Sequence, residues 1–393
     1  MTKIPAESLK EGQKFSKAVF IDKDSVFVPE NTAIRKKDLR LIESLGIENV
    51  FTDGKPVLEG GKSVKDGADI AGDAGIAGGA DITDGVAETP PLSVSASEIL
   101  SEVAVLVRQL GLVFSAIADK RQVNIRLLWS ATDSLLQLVK ACPEKLLYLV
   151  VSEDPEGGEM AKKGVYTAII STIIGGKMNF TAKKNQELAV GALLHDAGML
   201  RLPEDVLKKR GTLSASEVDI IKSHTLFSFN IIKKELLYPD SVCQIALQHH
   251  EHWNGTGYPR RLSGNYINER ALIVSVADAF IAMLNKNVYR DSMTGYQAMK
   301  TLMAEAGACF SPDILQMFVQ IMGIYPIGSG VRLNNGSTAR VTSINPAVPL
   351  RPVVEIVAGK NGVAERAKTV DLLTNKDLFI TGDVDIKDFG KRL

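Results

Sequence analysis

The spacing of a few polar residues in the middle of the chain restricts the fold more than any other feature. Asp196 and His224 lie 28 residues apart, His224 and His249 lie 25 apart, and His250 and Asp278 lie 28 apart. A helix of about a dozen residues, a short loop and an antiparallel return helix take up roughly that length. Side chains so spaced return to one level of a helical bundle. All five histidines (His195, His224, His249, His250 and His252) fall in one 58-residue window, and Asp196 follows the first directly. Imidazoles gathered with carboxylates suit a borderline divalent cation such as iron, manganese or zinc. His252 taken alone reads as a structural or solvent-facing residue.

The sequence around these positions is helical in period. From Ser95 to about Gly323, amphipathic stretches such as RLLWSATDSLLQLVKA, NQELAVGALLHDAGML and ALIVSVADAFIAML repeat apolar residues at three- and four-residue spacing. Ser95 and Glu98 supply capping chemistry at the start. Three other regions frame this part. Residues 1–53 read as a small α/β unit, with strands near 17–22, 25–29 and 48–52 and a helix over 36–46. The stretch 54–92 holds nine glycines and no aromatic residue, and it reads as a flexible linker. Residues 325–393 change to a period of two, with a hairpin signal at Asn335-Gly336, and read as a small β-rich appendage. The predicted class is mainly α: a bundle over 93–324 between these flanking pieces.

Charge narrows the function. Lys+Arg and Asp+Glu stand at 46 each, which argues against a broad nucleic-acid or membrane footprint. Cys142, Cys243 and Cys309 are unpaired in spacing and fit a reducing compartment. The N-terminus lacks the apolar core of a signal peptide, and no apolar run is expected to reach the roughly 20 residues a membrane helix needs. The expectation is a cytoplasmic protein without membrane insertion.

HDAGML, KSHT, HHEHWNGTGYP and SVADAFIAM resemble the HD-GYP family of metal-dependent phosphohydrolases, closely over 155–325. The resemblance implies an HD-type helical bundle and two or three metal ions, often iron or manganese. It also implies the bacterial second messenger cyclic di-GMP as substrate. Residue by residue, His195 and Asp196 match the HD pair, with Asp196 bridging metals. His224, His249 and His250 match the later histidine ligands, and Asp278 matches the terminal aspartate. Glu159 matches a glutamate that serves an extra metal site in three-metal members. Gly257, Tyr258 and Pro259 form the GYP turn that shapes the nucleotide pocket, with Asn254 before it and Arg290 after it as further substrate contacts. The implied chemistry is metal-assisted hydrolysis of a phosphodiester.

Several positions depart from the pattern. The family opens with a histidine 32 residues before the HD histidine, and Lys163 stands there. A protonated lysine cannot ligate a metal. Its ammonium is expected to take the space of one cation and pair with Asp196 or Asp278, leaving a single divalent ion held mainly by Asp196, His224 and His249; the alternative, a deprotonated Lys163 as ligand, demands a strong downward pKa shift. Met199 replaces the lysine of HDxGK, Asn287 replaces an arginine, and Asn254 replaces an aspartate. The Met199 and Asn287 changes each remove a positive charge expected at a substrate phosphate, a loss of about 1.5–3 kcal/mol per contact. Three readings stay open: a cyclic di-GMP phosphodiesterase with one or two iron or manganese ions per chain, giving linear pGpG or GMP; an impaired domain that binds cyclic di-GMP or a signalling protein; and a metallohydrolase of another phosphorylated compound. A homodimer is a further open expectation.

Overall fold

A computed structural model of the chain describes residues 2–20, 26–28, 30–34, 39, 49–57, 96–153, 157–209, 211–285, 293–360 and 364–384. The N-terminal unit contains strands β1 (Thr2–Pro5), β2 (Lys14–Phe15), β3 (Val19–Phe20), β4 (Val26–Val28), β5 (Asn49–Thr52) and β6 (Pro56–Val57). Four of these form a sheet in the order β1-β5-β3-β4, and β2 pairs with β6. Phe15, Val19, Val28, Ile34 and Val50 fill a small core of their own. The helix expected over 36–46 lies outside the described residues apart from Leu39, as do the Ser95 cap and most of the expected linker.

The bundle is built from α1 (Ala96–Ala118), α2 (Ile125–Ala141), α3 (Pro143–Ser152), α4 (Glu159–Lys177), α5 (Ala182–Leu194), α6 (Glu204–Leu207), α7 (Ala215–Lys222), α8 (His224–Asn230), α9 (Asp240–Gln248), α10 (Glu269–Leu284), α11 (Gly295–Ala304) and α12 (Pro312–Met322). Local chemistry sets many of the ends. Thr181 accepts from the Lys184 N–H at the start of α5, and Asn268 accepts from the Arg270 N–H at the start of α10. Ser214 and Glu217, and Thr294 and Gln297, form capping boxes on α7 and α11. Pro143 occupies the first turn of α3, where its missing N–H costs nothing.

Helix α4 packs against α5 and α10, and α9 packs against α5 and α8. Their inward faces carry Val165, Ile169, Leu188, Ala192, Ile245, Ile273 and Ala277, all buried. Complete burial of one such Leu or Ile side chain is worth about 1.5–3 kcal/mol, so these faces hold the bundle centre together.

The helical period that runs from Ala215 to Leu236 is divided in the structure: it breaks at Ser223, whose hydroxyl donates to Ile220 O, and it ends in a π-helical turn over Ile231–Glu235. One sequence expectation needs correction. Helix α1, at 23 residues, is long and apolar enough by length and composition to cross a membrane. Its Ile99, Val103, Leu110 and Ile117 are nonetheless inside the bundle core.

The C-terminal region is a five-stranded antiparallel sheet of β7 (Gly330–Leu333), β8 (Thr338–Ser343), β9 (Val353–Ala358), β10 (Ala364–Asp371) and β11 (Ile380–Val384), in the order β10-β9-β8-β7-β11. The Asn335-Gly336 turn joins β7 to β8, as its sequence predicts. The sheet is tied to the bundle. Thr294 donates to Asp383 at 2.6 Å, and Tyr296 stacks on Tyr325 with ring centroids 4.8 Å apart.

Candidate metal centre

Three histidines enter the site in the same way, from helix ends. His195 caps the C-terminus of α5, His224 opens α8 just after α7, and His249 caps the C-terminus of α9. Carbonyls in a last helical turn lack intrahelical partners. Each ring uses one of them: Nδ1 of His195 lies 2.7 Å from Ala192 O, Nδ1 of His224 lies 2.7 Å from Ile221 O, and Nδ1 of His249 lies 2.8 Å from Ala246 O. Nδ1–H donates in each bond, so Nε2 is the atom presented to the site. Asp278 comes from the middle of α10, and Lys163 from the first half of α4.

These groups converge. Ligand atoms of Asp196, His224, His249 and His250 all lie within 4.8 Å of one another, as do those of His195, His249 and Asp278. The two halves differ electrostatically. In one, His195 Nε2 lies 3.1 Å from Asp278 Oδ1 and 3.3 Å from Asp196 Oδ2. Both of its ring nitrogens therefore face acceptors, and a neutral ring has only one N–H to give. His195 must carry both protons or hold a cation at Nε2. Burial opposes the charged ring, but Asp196 and Asp278 outweigh it and raise the imidazole to about 10.

Lys163 Nζ reaches the same two oxygens, at 2.7 Å from Asp196 Oδ2 and 2.9 Å from Asp278 Oδ1. Burial works against its ammonium too, and the two carboxylates again prevail and hold the proton. Asp278 is kept well below the carboxylate range despite its burial, first by Lys163 and then by His195. Two cations thus face two anions.

The other half is not balanced. Nε2 of His224 and Nε2 of His249 are buried without a hydrogen-bond partner. They face Asp196 Oδ1 at 3.3 and 3.7 Å. With Nδ1–H given to the backbone, each Nε2 faces a carboxylate oxygen, an arrangement that a proton or a metal cation between them satisfies. Burial lowers His249 to about 4, against the pull of Asp196. Burial and the neighbouring His249 and His224 also hold His250 well below the ordinary imidazole value. Neutral imidazoles with a shared carboxylate fit a borderline divalent ion.

The GYP turn closes over this half. The ring of Tyr258 stacks on His250 at 4.8 Å and 26° and stands edge-on to His224 at 6.4 Å. Gly257 has to be glycine, because a Cβ there would lie 2.2 Å from His252 N and 2.5 Å from His250 O. Glu251, fully buried, accepts from the backbone N–H groups of Arg260 at 2.6 Å and Leu262 at 2.9 Å, which fastens the segment after Pro259. Asn254 accepts from both the N–H and the hydroxyl of Thr256, so it shapes the loop. His252 stands apart from the cluster, bonded to Thr256 Oγ1.

Not every expected residue joins. Glu159 is 79% exposed in its side chain and pairs with Lys162 at 2.6 Å, away from the clustered ligands. Its place at the first turn of α4 turns the carboxylate outward. Met199 sits in the 3₁₀ turn Ala197–Arg201 that follows Asp196. Asn287 and Arg290 lie outside the described residues. Glu251 and Gly198 went unnoticed in the sequence. Glu251 acts on N–H groups nine and eleven residues downstream, and no local pattern marks that relation. Gly198, within HDAG, could have been read as a close backbone approach. Its Cβ would lie 2.0 Å from His224 O.

Residues 145–314 match the family model described as an HD domain, and residues 330–392 match one described as a KOW domain associated with HD domain. The cyclic di-GMP phosphodiesterase PdeB of Borreliella burgdorferi is 30% identical over 198 residues, 50% of this chain and 52% of that protein. A cyclic di-GMP phosphodiesterase of Thermotoga maritima is 35% identical over 138 residues, 34% of this chain and 37% of that one. The 3'3'-cGAMP-specific phosphodiesterase 2 of Vibrio cholerae is 35% identical over 128 residues, 32% of this chain and 24% of that one. The chain spans about half the length of the first of these relatives and less of the other two.

Proposed function

We propose that the chain, whose residues 145–314 match an HD domain and whose motifs resemble the HD-GYP type, is a metal-dependent phosphodiesterase that hydrolyses cyclic di-GMP to linear pGpG or GMP. The observation that carries this reading is the pair of buried, unpartnered Nε2 atoms on His224 and His249, both facing Asp196 Oδ1. A divalent ion at these atoms, iron or manganese, supplies positive charge that acidifies water and neutralises a phosphate.

The remaining work falls to the chain. Asp196 Oδ2 is held by Lys163 and His195, and Asp196 would use its other carboxylate oxygen to hold the ion. Lys163 stands in for a second cation: its ammonium neutralises Asp196 and Asp278 together. One ion per chain follows, held by Asp196, His224, His249 and His250. His195 holds a proton within the site. Tyr258, stacked on His250, fixes that ring and offers an aromatic edge to a base.

The test incubates purified protein with cyclic di-GMP and manganese or iron(II), resolves the products by chromatography, and counts metal per chain. Linear dinucleotide or GMP that vanishes with Asp196→Ala supports the reading. Loss of metal without loss of product would defeat it. A second reading has one observation in its favour. Lys163 neutralises the carboxylates that a second ion would otherwise share, so the domain would bind the dinucleotide and leave it intact. Tight binding with no product would select that reading.

A further inference from the structure

We propose that Lys222 is a residue that grips a substrate phosphate beside Tyr258. The inference rests on the phosphodiesterase reading above. Lys222 ends α7, two residues before His224, and its side chain is exposed. Its Nζ lies 5.4 Å from the centroid of the Tyr258 ring. That ring stacks on His250 and stands edge-on to His224, so the ammonium is held at the rim of the unbalanced half of the site.

The two cations already in the site, Lys163 and His195, are engaged with Asp196 and Asp278. Lys163 is bonded to both Asp196 and Asp278 and has no charge left to offer an incoming anion. Lys222 forms no ion pair among the described residues, and its contact with Tyr258 is near the outer limit for a cation over a ring. An exposed contact of that kind is weak, whereas an ammonium bonded to a phosphate oxygen gains a charge-assisted hydrogen bond. A phosphodiester entering beside Tyr258 therefore draws Lys222 from the ring onto a non-bridging oxygen. The ligand class is an anionic dinucleotide that presents a base to Tyr258 and a phosphate to Lys222. Placement at the end of a helix favours the lysine there without a ligand as well, so the test separates the two roles.

The experiment measures binding of a hydrolysis-resistant phosphorothioate analogue of cyclic di-GMP to manganese-loaded full-length protein by calorimetry. It compares wild type with Lys222→Met, Lys222→Arg and the remote surface change Lys208→Met, and counts metal in each. The expected result is a Kd raised about tenfold or more by Lys222→Met, as the loss of one charged hydrogen bond predicts. Lys222→Arg should stay close to wild type, Lys208→Met should be unchanged, and metal content should be equal throughout. Wild-type affinity in Lys222→Met overturns the role of Lys222 and leaves the phosphodiesterase reading intact. Equal weakening by Lys208→Met also overturns it, because the effect would then be one of overall charge. Failure of the wild type to bind the analogue would remove the phosphodiesterase reading itself, and this inference with it.

Discussion

Lys163 Nζ and His195 Nε2 meet on the same carboxylate oxygen, Asp196 Oδ2, at 2.7 and 3.3 Å. Both also reach Asp278 Oδ1, at 2.9 and 3.1 Å. Two protonated bases around two carboxylates give a neutral group without a metal. Lys163→His should change the stoichiometry, because an imidazole can ligate where an ammonium cannot. The variant is expected to take up about one more manganese or iron ion per chain than wild type, read by elemental analysis after gel filtration. An unchanged metal count would mean that Lys163 is not what limits the site. Lys163→Met should destabilise the metal-free protein by about 3 kcal/mol, the low end for a broken buried pair, since 26% of the side chain is open to solvent.

The pH dependence of metal uptake should be displaced to acid. A metal and a proton compete for Nε2 of His249, because Nδ1–H is committed to Ala246 O. An ordinary imidazole loses this competition near 6.5, but burial lowers His249 to about 4. The sign for stability follows. An unfolded chain takes up the proton as pH falls through 6.5 and the folded one resists until about 4, so His249 contributes stability above 6.5 that drains away between those values. Manganese titrations from pH 7.5 down should show loading that survives well below 6.5. Half-loading at 6.5 would show that His249 is not so shielded.

Glu251 has the opposite dependence. Burial raises its carboxyl from 4.5 to about 7, although backbone N–H groups of Arg260 and Leu262 favour the charged form. A folded chain keeps this proton over a range where an unfolded one has released it. Stability from the group is full below 4.5 and falls as pH rises through about 7. Glu251→Gln should abolish that part of the pH profile. It should also cost about 1–3 kcal/mol, since one acceptor becomes an N–H set against a backbone N–H. Thermal melts of both proteins across this range test the point. Parallel profiles would contradict it.

The spacing of Asp196, His224, His249 and Asp278 was enough to expect a bundle with a convergent polar centre, because helix length fixes where a chain returns. The pairing of Lys163 with Asp196 and Asp278 was equally legible, since all three positions belong to one pattern. The outward turn of Glu159 was not legible, because its side chain settles on Lys162, a neighbour on its own helix. Nor was the break at Ser223, where helical periodicity continues across the junction and a single hydroxyl bond closes the turn. The task of Glu251 depends on a loop returning on itself, which periodicity does not encode.

Two glycines separate structural need from composition and give a last, paired test. Gly198 lies within the HD segment, where its N–H donates to Ser228 Oγ at 2.7 Å. A Cβ at this position would lie 2.0 Å from His224 O and 2.4 Å from Ser228 N, both backbone atoms that cannot swing aside. Gly198→Ala must therefore push α8 away from the 3₁₀ turn and carry His224 with it. An overpacked site costs about 1–3 kcal/mol, and backbone obstruction belongs at the upper end. Gly176, in the last turn of α4, would place its Cβ in open space, with nothing within 4 Å. There the change to alanine should stabilise by about 0.4–1 kcal/mol, because it restricts the unfolded chain. Denaturant unfolding of the two variants, with metal counted in each, gives the comparison. Gly198→Ala should lose both stability and metal, and Gly176→Ala should lose neither. If Gly198→Ala kept full metal content, the seating of His224 on the HD turn would not be what holds the ion.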